Sequence, residues 1–259
     1  MDGVSPAQSL KNLPVAQWVY LEQTGSTNDD ALRMAQQGAP HGLLVVAGEQ
    51  TAGRGRLDRR WVSRPGGSLS FSLLLRPAGL DPARLGLISP LGALALALFI
   101  EQELALRPLI KWPNDVLLEK RKVAGILAEA VWSGERLDAV VLGMGVNIAP
   151  SSVPADEEVL FPAGCLETFY GKPLDRWNVL RSVLERFFVW LDRLESPEFF
   201  QAWESRLAFK GEPVRVSPPG SAPVEGLLAG IDSDGALVLT TSGGQVSVPA
   251  GDVSLRPAT

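Results

Sequence analysis

The sequence predicts an α+β fold, in which a mixed β-sheet packed with helices spans residues 1–209 and a small all-β module spans residues 210–259. Three observations lead there. Strand and helix periodicities interleave irregularly over the first part. Residues 85–100 form an uncharged run of 16, broken by Gly86, Pro90 and Gly92. That is short of the roughly 20 residues of a membrane span and reads as a buried core helix. Finally, residues 210–259 contain no Phe, Tyr or Trp, while Val, Leu and Gly dominate.

In chain order, 17–22 reads as a short strand. Ser26, Thr27 and Asn28 form an N-cap cluster before an apolar-periodic helix with Ala31, Leu32 and Ala35, closed by Gly38. A buried strand is expected over 43–48. Residues 51–67, rich in Gly and Arg, read as loop. Ser and apolar residues alternate over 68–75, the pattern of a half-exposed strand. After the core helix come strands at 109–112, 115–118 and 123–131, the last two as a hairpin turning at 119–122. A further strand covers 138–146. Residues 149–158, with two prolines and then three acids, read as a mobile surface loop. Apolar residues follow a helical stripe over 177–194, and a second helix is expected over 198–209. The C-terminal module reads as about five short strands, with turns at 217–221, 232–235 and 242–244.

Composition removes several function classes. The net charge of -5 argues against bulk electrostatic attachment to nucleic acid. The lone Cys165 allows no internal disulfide and fits a reducing compartment. With His41 as the single histidine, the usual structural zinc sites and His-dependent triads lack their parts. The start Met1-Asp2-Gly3 has neither the basic nor the apolar region of a signal peptide, so the expectation is cytoplasmic, with no membrane.

Four runs carry candidate chemistry. Gly53-Arg54-Gly55-Arg56, with Arg59, Arg60 and Trp61 behind it, suits an anion: glycines let backbone N–H groups approach, and Arg adds fixed charge. A solvated basic turn or an RNA contact would use the same residues. Lys111-Trp112-Pro113-Asn114-Asp115 draws on a scarce residue type, for there are 6 Lys against 18 Arg. Pro113 stops a strand there, so Asn114 and Asp115 either turn into a cleft or form an ordinary turn beside a packed Trp112. In Arg121-Lys122-Val123-Ala124-Gly125-Ile126-Leu127, Lys122 either guards a sheet edge or aims its ammonium at a bound carboxylate. In Gly143-Met144-Gly145-Val146-Asn147, two glycines at a strand end imply a bulge or close approach by a ligand or another strand.

Together with Ser26-Thr27-Asn28, these runs resemble the biotin–protein ligase family, in its order and spacing, over roughly residues 22–147. The C-terminal module is similar to the SH3-like barrel that closes this family. The resemblance implies a class II aminoacyl-tRNA synthetase/biotin ligase-like catalytic domain at 1–209 and an SH3-like domain at 210–259. It implies biotin and ATP as substrates, Mg²⁺ arriving with ATP rather than in a protein cage, and a biotin carboxyl carrier protein as acceptor. It places Ser26, Thr27, Asn28, Gln50, Gly53, Arg54, Gly55, Arg56, Lys122, Gly125 and Gly143 around biotin. Arg54, Arg56, Trp61, Lys111, Asn114, Lys122 and Asn147 fall around the nucleotide. Lys111, Asp115, Lys122 and Arg56 are the implied catalytic set. Asp115 would help deprotonate the incoming lysine, or orient Lys111 or the metal. The family usually has Gly where this chain has Asp58, which puts an acid inside the Arg-rich loop.

Some members carry an N-terminal DNA-binding domain. Only 25 residues precede Ser26, so the resemblance is to the form without it, and no DNA binding is expected. A homodimer through a sheet edge is left open. Two rivals stand beside this reading: a lipoate or octanoate ligase or transferase of the same fold, and a non-catalytic RNA-binding module using the Arg-rich loop.

Overall fold

The computed structural model describes residues 6–57, 59–76, 81–155, 161–217, 222–250 and 254–257. The chain opens with helix α1 (Pro6–Ser9), strand β1 (Gln17–Thr24), α2 (Thr27–Gln36), β2 (Leu43–Gln50) and β3 (Ser68–Leu75). A 3₁₀ turn, Pro82–Leu87, leads into α3 (Ile88–Leu104). Then come β4 (Leu109–Lys111), β5 (Asp115–Leu118), β6 (Arg121–Ser133) and β7 (Arg136–Asn147). Helices α4 (Leu166–Tyr170), α5 (Arg176–Leu191) and α6 (Pro197–Glu204) precede five strands: β8 (Pro213–Ser217), β9 (Val224–Ile231), β10 (Leu237–Thr241), β11 (Gly244–Val248) and β12 (Ser254–Pro257).

Among the described residues, β1 to β7 form one sheet in the order β1-β2-β3-β7-β6-β5-β4. It is mixed, because β1 runs parallel to β2 while the other neighbours are antiparallel. Strands β8 to β12 form a separate antiparallel sheet, ordered β11-β10-β9-β8-β12. That order agrees with the expected SH3-like module, although its outer strands β11 and β12 are not paired with each other among the described residues.

The core helix is where the uncharged run places it. Nearly every α3 side chain is buried, which an all-round apolar helix requires. With the preceding turn it is long and apolar enough to cross a membrane by length and composition, yet 72% of its most apolar 18-residue stretch lies buried in this core. The hairpin at 119–122 is tight, with Glu119 and Lys120 both at positive φ.

Three expectations need correction. Strand β3 is not half-exposed, for all eight of its residues are buried. Its apolar face (Leu69, Phe71, Leu73 and Leu75) packs in the α3 core, and α2 covers the opposite face. The Ser residues are therefore buried polar groups and need partners. The second late helix ends at Glu204 rather than Phe209, because Leu207 turns to bridge Ile110 of β4. The segment expected as a surface loop at 149–158 begins with a 3₁₀ turn, Pro150–Ser152, whose Ser152 is buried; Asp156, Glu157 and Glu158 lie outside the described residues.

Candidate active site

A cleft of about 750 Å³ opens beside β2, β7, β6 and β5. Its walls are the start of α2, the Arg-rich loop, the 111–115 run, Phe161 and Ala163, and Leu255 with Arg256 from β12. Every candidate site residue except Gly53 lines it. Gly53 sits behind the wall. Its carbonyl accepts from the Trp61 backbone N–H at 2.8 Å, and a Cβ there would press on the Trp61 carbonyl. Asp58 is outside the described residues.

One region of the cleft is a neutral hydrogen-bonding pocket. Ser26 holds the N-cap position of α2 but makes no side-chain cap bond. Gln50 does that work from β2: its Oε1 accepts from the Thr27 backbone N–H at 2.8 Å and from the Thr27 hydroxyl at 3.0 Å. Ser72 donates to Asn28 Oδ1 at 2.6 Å, and Asn28 Nδ2 donates to Glu129 Oε2 at 2.7 Å. The Asn28 amide is thus held from both ends.

The glycines of β7 explain how these groups fit. Strand β7 pairs regularly with β3 and β6 across Gly143 and Gly145, so there is no bulge there. What approaches is side chain: a Cβ on Gly143 would collide with the Asn28 amide, and one on Gly145 with the Trp61 indole. Gly125, opposite Gly145 on β6, leaves room for Lys122, whose Nζ lies 3.0 Å from where a Cβ would stand.

The second region is cationic. In the β4–β5 hairpin Lys111 stands directly across from Asp115, and β6 brings Lys122 alongside. Asp115 Oδ1 is 2.6 Å from Lys122 Nζ, and its Oδ2 is 3.4 Å from Lys111 Nζ. Lys111, only 5% exposed, also lies over the Phe161 ring, and Lys122 lies over Trp61. Burial alone would raise the Asp115 carboxyl, but the Lys122 and Lys111 ammoniums outweigh it and hold the group below its ordinary 3.8. Burial lowers Lys111 below its ordinary 10.5, with Asp115 opposing and Arg256 and Lys122 adding to the fall. Burial, and then the neighbouring Arg59 charge, lower the Arg256 guanidinium from its ordinary value. Asp115 is thus a poor proton acceptor at neutral pH and a fixed counter-charge for two lysines.

Arg56 donates to Asn114 Oδ1 at 3.2 Å, and Asn114 Nδ2 donates to the Ile126 carbonyl at 2.7 Å. Asn147 donates its amide to the Gly164 carbonyl at 3.0 Å, which ties β7 to the wall that carries Phe161. Among the described residues, the buried indole N–H of Trp61 has no hydrogen-bond partner. Both oxygens of Asp115 are taken by ammoniums, and the described residues hold no cluster of three metal-ligating side chains.

Sequence reasoning missed Ser72, Glu129, Phe161 and Arg256. The Ser alternation of β3 was a signal for Ser72, once read as a buried polar face. Arg256 had none, since nothing local says that β12 reaches the cleft.

Comparisons with known proteins meet this geometry. The profile of the biotin/lipoate A/B protein ligase family matches residues 20–147, and that of the biotin protein ligase C-terminal domain matches residues 210–256. A protein of Paracoccus denitrificans named biotin–[acetyl-CoA-carboxylase] ligase is 39% identical over 239 residues, covering 90% of this chain and 98% of that one. One of the same name from Mycobacterium tuberculosis is 35% identical, covering 89% and 86%. Among solved structures, a biotin protein ligase from Aquifex aeolicus in complex with biotin and ATP superposes with a TM-score of 0.80 at 32% identity, covering 94% of this chain and 100% of that one.

Proposed function

We infer the reaction from one premise: this chain belongs to the biotin/lipoate A/B protein ligase family. Its activity is ATP-dependent biotin ligation. The observation that carries the assignment is the pairing of two chemistries in one cleft. A neutral pocket (Thr27, Asn28 and Gln50) suits a ureido ring, and a cationic pocket (Lys111, Lys122 and Arg56) suits a carboxylate meeting phosphates.

In the proposed first step the biotin carboxylate attacks the α-phosphorus of ATP in line, forming the biotinyl-AMP mixed anhydride and releasing pyrophosphate. Two anions must approach, so fixed cations lower the barrier; Lys122, Arg56 and Arg54 are the candidates, with Lys111 and Arg256 nearer the nucleotide. In the second step a lysine amine of the acceptor attacks the acyl carbon, and AMP leaves. A free lysine, with a pKa of about 10.4, is almost wholly protonated at neutral pH, so docking must help deprotonate it. We assign Asp115 to orienting Lys122 and Lys111 rather than to that deprotonation, because its carboxyl is held low. Mg²⁺ would be held by the nucleotide phosphates and would offset part of their charge.

The acceptor we propose is a lysine of a biotin carboxyl carrier domain, with no role for DNA, in keeping with the net charge of -5. The cytoplasm is the proposed location, supported by the one buried, unpaired Cys165. We also propose that 1–209 and 210–259 are the two domains, and that a homodimer would extend the sheet at its edge strand β1, since the 206–208 segment already pairs with the outer side of β4. The test is ATP–pyrophosphate exchange with biotin and, separately, lipoate. Exchange driven by biotin alone supports the reading, and exchange driven by lipoate alone overturns it.

A further inference from the structure

Glu129 does not line the cleft, yet one of its carboxylate oxygens joins two walls of it. Oε2 accepts from Asn28 Nδ2 at 2.7 Å and from Arg54 Nη2 at 2.7 Å. The same Arg54 nitrogen lies 2.7 Å from Asp29 Oδ1. Asn28 and Asp29 belong to the first turn of α2, Glu129 to β6, and Arg54 to the Arg-rich loop. Arg54 is the first partner of the Arg54–Arg60 bridge that closes this loop on itself, so fixing Arg54 fixes the lobe.

A lone ion pair with 38% and 50% exposed partners, as Arg54–Asp29 is, contributes little. Glu129 differs. It is 24% exposed and shared by a guanidinium and a buried amide, an arrangement of charge-assisted hydrogen bonds. Ser72 already holds the opposite end of that amide. Glu129 is therefore in contact with both the neutral pocket, through Asn28, and the Arg-rich loop, through Arg54.

We propose that Glu129 is a positioning residue that sets the Asn28 amide and, with Asp29, latches the Arg-rich loop through Arg54. This rests on the biotin ligase reading for its substrate, but the latch itself is independent of it.

Two measurements on Glu129→Gln and Asp29→Asn test the proposal. The first is cleavage by trypsin at Arg54 to Arg60 without substrate. The proposal expects cleavage of wild-type protein to quicken with added salt, and that of Glu129→Gln to be faster by on the order of tenfold and nearly salt-independent. The second is steady-state exchange. Glu129→Gln should raise the KM for biotin several-fold with a smaller effect on kcat, and Glu129→Asp should recover part of it. Equal cleavage rates in folded wild-type and Glu129→Gln protein would overturn the latch. A lowered Tm with unchanged KM and unchanged salt response would reduce Glu129 to a structural residue and also overturn it. Failure of wild-type protein to exchange pyrophosphate with biotin would count against the ligase reading alone, since the trypsin measurement needs no substrate.

Discussion

Asp115 and Lys122 meet at 2.6 Å across the neighbouring strands β5 and β6, while the second Asp115 oxygen faces the buried Lys111. The carboxylate is thus the shared counter-ion of two cations, and the two partners respond differently to removal. Asp115→Ala leaves the Lys111 ammonium buried without its pair and should cost about 3–5 kcal/mol in urea unfolding. Lys122→Ala removes the nearer cation of Asp115 but leaves it Lys111, so it should cost less stability than Asp115→Ala. Its adenylate formation, read by biotin-dependent pyrophosphate exchange, should fall by about 10²–10³.

The same cluster predicts an acid limb in stability. Asp115 has a folded value below its ordinary 3.8, so it adds stability that is present above 3.8 and is lost as pH falls through the lower folded value. Lys111 is also depressed, so its buried ammonium costs stability at and below neutral pH, a cost relieved as pH climbs toward 10.5. Urea midpoints should drop as pH falls below 3.8, and Asp115→Asn should flatten that drop. An unchanged slope would separate Asp115 from acid stability.

Arg256 brings positive charge into the cleft from the C-terminal sheet. Arg256→Ala should raise the KM for ATP by about tenfold and leave biotin binding without nucleotide near the wild-type value. Pyrophosphate exchange at varied ATP reads the first, and isothermal titration with biotin reads the second.

Gly145 is a further sensitive point, because a methyl there collides with the Trp61 indole. Gly145→Ala should cost about 1–3 kcal/mol in stability through overpacking, and should displace Trp61 from Lys122. Quenching of Trp61 fluorescence by iodide, measured against a Trp61→Phe control, should increase.

How much of this was legible in the sequence depended on distance along the chain. Lys111, Asp115 and Lys122 lie on two consecutive hairpins, so local turn chemistry alone places them together. Strand β3 misled because Ser alternation looks solvent-facing unless α2 is known to cover it. The β7 glycines announced a close approach, but not that Asn28 and Trp61 make it. Glu129 and Arg256 were invisible because sheet order and the docking of β12 bring them in. Trp112 shows the same limit: its indole donates to the Gly235 carbonyl at 3.0 Å, a bond from the β4–β5 turn to the β9–β10 turn that no local pattern announces.

The most direct test of the central claim is intact-mass spectrometry of a biotin carboxyl carrier domain incubated with this protein, biotin and Mg-ATP. The account predicts a gain of one biotinyl group on a single lysine, absent without ATP and strongly reduced with Lys122→Ala. No gain with folded wild-type protein, or an equal gain without ATP, would contradict it.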